Sequence, residues 1–131
     1  MRELGGQNIL VVEDDALVAS DLATILADRG AVVMVAASSK EAIAMIDRCV
    51  PDAAFIDVCL NDENSDLICR RLSTWLIPFA FHTGYGIHPE SWPFAPLIAK
   101  PATYNQIVSC AQRMCLWTTC DKHINTTTQV A

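Results

Sequence analysis

Short apolar runs alternate with amphipathic segments along this chain. The runs that read as buried strands are 8–12, 32–36, 53–56, 77–82 and 97–99. Between the first two, Val18, Leu22, Ile25 and Leu26 recur at the spacing of one helix face. Strands that alternate with helices in this way form βαβ units, in which the strands are parallel. The sequence therefore predicts an α/β fold with a parallel, doubly wound sheet.

Local signals predict where several helices begin and end. Helix one is expected over 16–29, and Gly30 supplies the left-handed residue that ends it. Ser38 and Glu41 have the spacing of a capping box, in which each side chain bonds a free amide of the other residue. Thr103 and Gln106 repeat that spacing before the last helix.

The segment between strands four and five lacks the composition of a helix. Two glycines and three prolines fall close together there, namely Gly84, Gly86, Pro89, Pro93 and Pro96. In a helix interior, glycine costs about 1 kcal/mol and proline about 3 kcal/mol relative to alanine. We therefore expect the helix at this place in the fold to be short or missing.

The length of 131 residues fits one domain. We expect an N-terminal extension over 1–7, the domain over 8–117 and a flexible C-terminal tail over 118–131. That tail is too short for an output domain. There is no apolar run of about 18 residues and no apolar signal core, which predicts a cytoplasmic protein without membrane insertion.

Charge and cysteine spacing argue against two classes of ligand. The net charge is −6, and no basic cluster is larger than Arg70-Arg71, so we expect no nucleic acid partner. The six cysteines contain no C-x-x-C pair, and their spacing to the histidines does not fit a zinc site.

Polar side chains capable of chemistry follow four of the predicted strands. They are Glu13, Asp14, Asp57, Thr83 and Lys100. Because the carboxyl ends of parallel strands share one edge, these groups should converge on one crevice. Asp14 and Asp57 could bind Mg²⁺ directly, with Glu13 acting through water. Thr83 and Lys100 could then contact the oxygens of a phosphoryl group.

The motifs ILVVEDD, AFIDVCL, FHTGYG and AKP, in this order and spacing, resemble the receiver domain of two-component response regulators. The resemblance covers roughly 8–117. It implies a flavodoxin-like five-stranded sheet in the order 2-1-3-4-5. It also implies that Asp57 accepts a phosphoryl group from a sensor histidine kinase or a histidine phosphotransfer protein. The cofactor for this transfer is expected to be Mg²⁺, for which Mn²⁺ could substitute.

The resemblance also assigns roles to single residues. Glu13 and Asp14 are the acidic pair, and the backbone carbonyl of Cys59 is a further metal ligand. Thr83 carries the switch hydroxyl, and Lys100 is the lysine of the pattern. Receivers usually have a cis peptide bond after that lysine, which here is Lys100-Pro101.

The chain departs from the usual receiver at two points. Leu97 stands where a switch tyrosine or phenylalanine is usual, and the interval from Thr83 to Lys100 is short. With PFAFHTGYG, these features resemble the stand-alone "FAT GUY" receivers. We hypothesise that phosphorylation reorders the 84–96 loop. Unchanged hydrogen exchange in that loop after phosphorylation would contradict this.

The sequence leaves several functions open. A phosphorylated protein could bind a downstream target, or it could act as a phosphate sink for a shared kinase. A pseudo-receiver that never turns over phosphate is the alternative. A haloacid dehalogenase-type hydrolase needs a second acid where Cys59 stands, and a dinucleotide site needs its glycines after strand one. We therefore expect a phosphoryl acceptor with slow autodephosphorylation rather than an enzyme with a separate substrate.

Overall fold

A computed structural model of the chain describes residues 3–58, 65–84, 89 and 91–130, with 118–130 described by their backbone alone. Nine elements lie within these residues. In chain order they are β1 Asn8–Val12, α1 Ala16–Asp28, β2 Val32–Ala36, α2 Ser39–Arg48, β3 Ala53–Ile56, α3 Ser65–Thr74, β4 Phe79–Thr83, β5 Leu97–Ala99 and α4 Tyr104–Val130.

The five strands form one parallel sheet in the order β2-β1-β3-β4-β5. This confirms the predicted flavodoxin-like topology. In the register of the sheet, Val12 pairs with Ile56 and Thr83 pairs with Ala99. Ile56 also pairs with Phe81, two residues before β4 ends. The strands therefore end within about two residues of one another, and the residues that follow them lie at one edge.

Side chains of the central strands alternate between two hydrophobic cores, one on each face of the sheet. Ile9 and Val11 pack with α1 and α4, in a core that includes Leu22, Leu26, Ile107 and Met114. Leu10 and Val12 pack with α2 and α3, in a core that includes Ile46, Ile68 and Leu72. Burial on both faces explains why these strands are continuous apolar runs rather than alternating ones.

The predicted helix caps are present, with one difference. Thr103 N donates to Gln106 Oε1 at 2.8 Å, and Gln106 N donates to Thr103 Oγ1 at 3.1 Å. Ser38 Oγ accepts from Glu41 N at 3.2 Å, but Glu41 Oε1 accepts from Ala37 N rather than from Ser38 N. Helix α1 ends before Gly30, whose φ is +99°, in the left-handed region as expected.

The described part of the β4–β5 connection contains no helix. Trp92 occupies the space beside the sheet, with its ring edge-on to Phe79 at 5.5 Å between centroids. Its indole N–H donates to Asp66 Oδ1 on α3 at 2.9 Å. The prediction of a short or missing helix is confirmed for the residues that the structure describes, and 85–88 and 90 lie outside them.

Residues 3–7, expected to be an N-terminal extension, pack against the rest of the fold. Leu4 is fully buried in the core that includes Leu22 and Leu26 of α1. Its N–H donates to Arg29 O at 2.8 Å, and Val32 N donates to Gln7 O at 2.8 Å. Burial of Leu4 and these main-chain bonds together offset the entropy that the segment loses by becoming ordered.

The backbone of α4 is helical as far as Val130, so the helix continues into the range expected to be a C-terminal tail. Once a helix has formed its first turns, each added residue gains a hydrogen bond without a new nucleation cost. None of the helices that the structure describes is both long and apolar enough to cross a membrane.

Replacing Leu4 by alanine should destabilise the fold, because the change leaves a cavity in the core. The expected loss in free energy of unfolding is about 2–5 kcal/mol, measured by urea denaturation. Leu17→Ala is the matched control, since Leu17 is 72% exposed and should change stability by less than about 0.5 kcal/mol. Equal unfolding midpoints for the two variants would show that residues 3–7 do not belong to the domain.

Candidate functional site

Three carboxylates meet at the carboxyl edge of the sheet. Glu13 and Asp14 follow β1, and Asp57 follows the neighbouring strand β3. One oxygen of each lies within 4.8 Å of the others. Main-chain bonds fix their positions, because Asp57 N donates to Val12 O at 2.9 Å and Glu13 N donates to Ala36 O at 3.0 Å.

Glu13 is the most buried of the three, at 3% exposure. Its Oε1 lies 2.5 Å from Lys100 Nζ, and its Oε2 accepts from Asp15 N at 3.1 Å. Burial raises the pKa of the Glu13 carboxyl; the bonds from Lys100 and Asp15 oppose that rise, and the nearby Asp57 adds to it. No sequence signal pointed to this direct contact with Lys100; the only role predicted for Glu13 was metal binding through water.

Lys100 connects the acidic pair to Asp57. Its Nζ lies 3.5 Å from Asp57 Oδ2, and the Asp57 side chain is itself buried. Burial alone would lower the pKa of the Lys100 ammonium, but the bond to Glu13 and the charge of Asp57 outweigh it, so this pKa is raised. The peptide bond from Lys100 to Pro101 is cis, as the receiver pattern implies.

Two further predicted residues, Thr83 and Leu97, lie on β4 and β5. Thr83, which is 1% exposed, ends β4 beside the site, and its carbonyl accepts from Lys100 N at 2.8 Å. Leu97 packs against the core under α2 and α3, where it is half-buried. Cys59, assigned a metal-binding carbonyl, lies outside the described residues.

The donor set fits a hard divalent cation. Glu13, Asp14 and Asp57 offer only oxygen, which is the ligand type that Mg²⁺ and Mn²⁺ prefer. Three carboxylates face one ammonium here, so the site has more negative than positive charge. A divalent ion would offset that excess and reduce the repulsion among the carboxylates. Asp15, by contrast, is a cap of α1, accepting from Leu17 N at 3.0 Å.

His82 lies on β4 one residue before Thr83 and is buried. Burial, followed by the positive charge of Lys100, lowers the pKa of its imidazole, and the charge of Asp57 opposes this. The charged imidazolium is therefore disfavoured at this position.

His82 should make the fold sensitive to acid. The pKa of His82 is lower in the folded protein than its value of about 6.5 in the unfolded chain. The contribution of His82 to stability is therefore fully present above about pH 6.5, and it is lost as the pH falls towards the folded-state pKa. We expect the free energy of unfolding of the wild type to fall more than that of His82→Ala between about pH 7.5 and pH 5.5. Urea denaturation at both pH values measures this. Equal losses in the two proteins would contradict the assignment.

Proteins similar to this chain in sequence or fold include response regulators. The family model of the response regulator receiver domain matches residues 9–87. A protein from Leptolyngbya boryana, known as an uncharacterized 14.6 kDa protein in the sodA1 3' region, is 26% identical over 125 residues, covering 88% of this chain and 95% of that one.

Solved structures show the same fold. A putative response regulator from Chloroflexus aurantiacus is 28% identical, with a TM-score of 0.74, covering 85% of this chain and 98% of that one. PhyR of Brucella abortus is 23% identical with a TM-score of 0.73, and NtrX of the same organism is 22% identical with a TM-score of 0.79. The match to PhyR covers 92% of this chain and 53% of PhyR. The match to NtrX covers 93% of this chain and 29% of NtrX.

The family match spans more than half of the chain, and it includes β1, β3 and β4 with the acidic residues that follow the first two. The sheet order and the position of Lys100 beside Asp57 agree with it. This chain belongs to the response regulator receiver domain family.

Proposed function

We propose that Asp57 accepts a phosphoryl group from a phosphohistidine on a sensor histidine kinase or a histidine phosphotransfer protein. The observation that carries this proposal is the position of the Asp57 carboxylate. Oxygens of Glu13 and Asp14 lie within 4.8 Å of it, and the Lys100 ammonium lies 3.5 Å from it. A nucleophilic carboxylate beside both a cation-binding group and a cationic side chain is the arrangement that phosphoryl transfer needs.

In the proposed step, one Asp57 oxygen forms a bond to phosphorus while the phosphorus–nitrogen bond of the donor breaks. The electron pair of the broken bond stays on the imidazole nitrogen. Lys100 can move its ammonium from Glu13 towards a phosphoryl oxygen, because its Nζ already lies between Glu13 and Asp57. The Thr83 hydroxyl would bind another of these oxygens.

Glu13, Asp14 and Asp57 would hold the Mg²⁺ or Mn²⁺ ion, together with the Cys59 carbonyl that the sequence pattern assigns. When bound, the ion supplies charge neutralisation and orientation for in-line attack. The excess of carboxylates over ammonium groups supports this part of the proposal. Glu13 would keep Lys100 close to Asp57 before the phosphoryl group arrives.

We propose that the output is a protein contact, either with a downstream target or with a kinase whose phosphate the protein drains. Thr83 starts the segment that ends at Lys100, so both groups expected to bind the phosphoryl oxygens flank the 84–96 loop. Rearrangement of that loop would carry the signal. The free thiols Cys49, Cys69, Cys110 and Cys115 agree with a reducing cytoplasm as the place of action.

A pseudo-receiver is the second candidate, and one observation favours it. Lys100 Nζ lies only 2.5 Å from Glu13 Oε1, so the ammonium already has a carboxylate partner. If this pair were permanent, it would withhold a metal ligand and the lysine from chemistry. The protein would then act as an interaction module without turning over phosphate.

Acetyl phosphate, a small-molecule phosphoryl donor, distinguishes the two candidates. With Mg²⁺, the wild-type protein should gain the mass of one phosphoryl group in intact mass spectrometry, and EDTA should prevent the gain. Asp57→Asn should not be labelled, because an amide is not a nucleophile towards phosphorus. Asp28→Asn is the matched control, since Asp28 is an exposed aspartate at the end of α1, and it should be labelled like the wild type.

Lys100→Ala should still be labelled, because it keeps the nucleophile and the three carboxylates, but it should signal poorly. Labelling of Asp57→Asn would move the acceptor to another side chain. Absence of labelling in the wild type, followed by absence of transfer from a panel of phosphorylated kinases, would favour the pseudo-receiver.

A further inference from the structure

Two grooves away from the carboxylate site meet at the β5 edge of the sheet. The first is a cavity of about 680 Å³ lined mainly by aromatic and proline side chains, among them Trp92, Phe94 and Trp117. The second is a cavity of about 620 Å³ lined by residues 96–99 and by α4. Pro96 and Arg113 line both, so the two cavities are adjacent parts of one surface. We call this surface the β5 groove.

The backbone of β5 can accept another strand along this groove. Side chains of a strand alternate between its two faces, so a cavity on one face would be lined by every second residue. The second cavity is instead lined by four consecutive residues, 96–99. It therefore runs along the main chain at the edge of β5. Phe81 N donates to Pro96 O, and Lys100 N donates to Thr83 O. By the alternation of a parallel ladder, Leu97 and Ala99 direct their N–H and C=O groups away from β4.

Strand β5 is the last strand of the sheet, paired on one side with β4. It has three residues, so the open edge offers two N–H groups and two C=O groups in one short row. Edges of this kind bind extended peptides by strand addition, in which main-chain bonds give affinity and neighbouring pockets give specificity.

The aromatic part of the groove can take a large apolar side chain. Phe94 is 96% exposed and Trp117 is 49% exposed, although both are large and apolar. Trp92 beside them is held by Asp66 and Phe79, so this wall of the cavity is already fixed before a ligand binds. A rigid apolar cavity of several hundred Å³ is typical of a binding site.

Arg113 gives the groove its charge preference. It is exposed, and it is the only charged residue among the described residues that line either cavity. The salt bridges found among the described side chains involve Arg29, Arg70, Arg71 and Lys100, but not Arg113. A guanidinium at the junction of the cavities is complementary to a carboxylate.

We propose that the β5 groove binds an extended peptide segment of a partner protein that carries an aromatic or large aliphatic side chain close to an aspartate or glutamate. The peptide main chain pairs with Leu97 and Ala99, its apolar side chain enters the cavity beside Trp92 and Trp117, and its carboxylate pairs with Arg113. This binding does not depend on phosphoryl transfer to Asp57, so it can be tested on the unmodified protein.

Selection of an mRNA-displayed library of random linear peptides on the wild-type protein tests the proposal. The enriched peptides should share a large apolar residue near an acidic one. By fluorescence polarisation, Arg113→Glu should weaken binding of an enriched peptide tenfold or more. Arg48→Glu is the matched control, because Arg48 is also exposed but lies on α2, across the sheet from α4. It changes the net charge equally and should leave the affinity unchanged.

N-methylation of the peptide, one amide at a time, tests strand addition separately. The open edge offers two C=O groups, on Leu97 and Ala99, so two peptide N–H groups two positions apart can bond it. Binding should be lost on N-methylation of either of these two residues and kept on N-methylation of the residue between them. Loss at several consecutive positions would mean a helical ligand and would overturn the proposal. No enriched peptide, equal affinity for Arg113→Glu, or a dimer of the free protein that Arg113→Glu dissociates would overturn it as well.

Discussion

The site is organised by one ammonium group placed between two buried carboxylates. Lys100 contacts Glu13 and Asp57, whose exposed fractions are only 3% and 5%. A buried carboxylate without a partner is costly, so removing the lysine would leave two charges uncompensated. The parallel sheet makes the contact possible, because β1, β3 and β5 all end at the same edge. The same interaction keeps a cationic group next to Asp57, the proposed nucleophile.

The short β4–β5 connection has two consequences for the molecule. It brings Thr83 and Lys100 close in sequence, so that any movement of the proposed phosphoryl contacts acts directly on the loop between them. It also leaves an aromatic cavity beside β5, where Trp92 covers only part of the sheet. The same connection therefore supplies Trp92 and Phe94 to the aromatic part of the β5 groove.

Buried strands and the polar residues after them are strong local signals, so they predicted a parallel α/β sheet and the convergence of Glu13, Asp14 and Asp57. The strand order was implied by the resemblance to receivers. Local signals did not predict the packing of the segment before β1 or the length of α4. Leu4 stands in a mostly polar segment, and its burial depends on tertiary contacts with a core that includes Leu22 and Leu26. The polar residues after Trp117 show no apolar stripe, yet the helical backbone continues through them.

Side-chain partners were less predictable than backbone elements. Glu41 bonds Ala37 N instead of Ser38 N, because two neighbouring amides are within reach of one carboxylate. The Glu13–Lys100 contact joins residues 87 positions apart, and its geometry depends on the packing of three strands. Spacing along the chain identifies which groups reach the edge of the sheet. It does not determine which of them pair there.

Paramagnetic NMR tests the central claim, that these three carboxylates form one divalent-cation site. In a Mn²⁺ titration of the ¹⁵N-labelled protein, the amide signals of Glu13, Asp14 and Asp57 should broaden first. Those of Asn8 and Asp52, where β1 and β3 begin, should broaden only at higher Mn²⁺. Broadening that centres on Asp52, or that spreads equally over exposed carboxylates such as Asp47, would contradict the account.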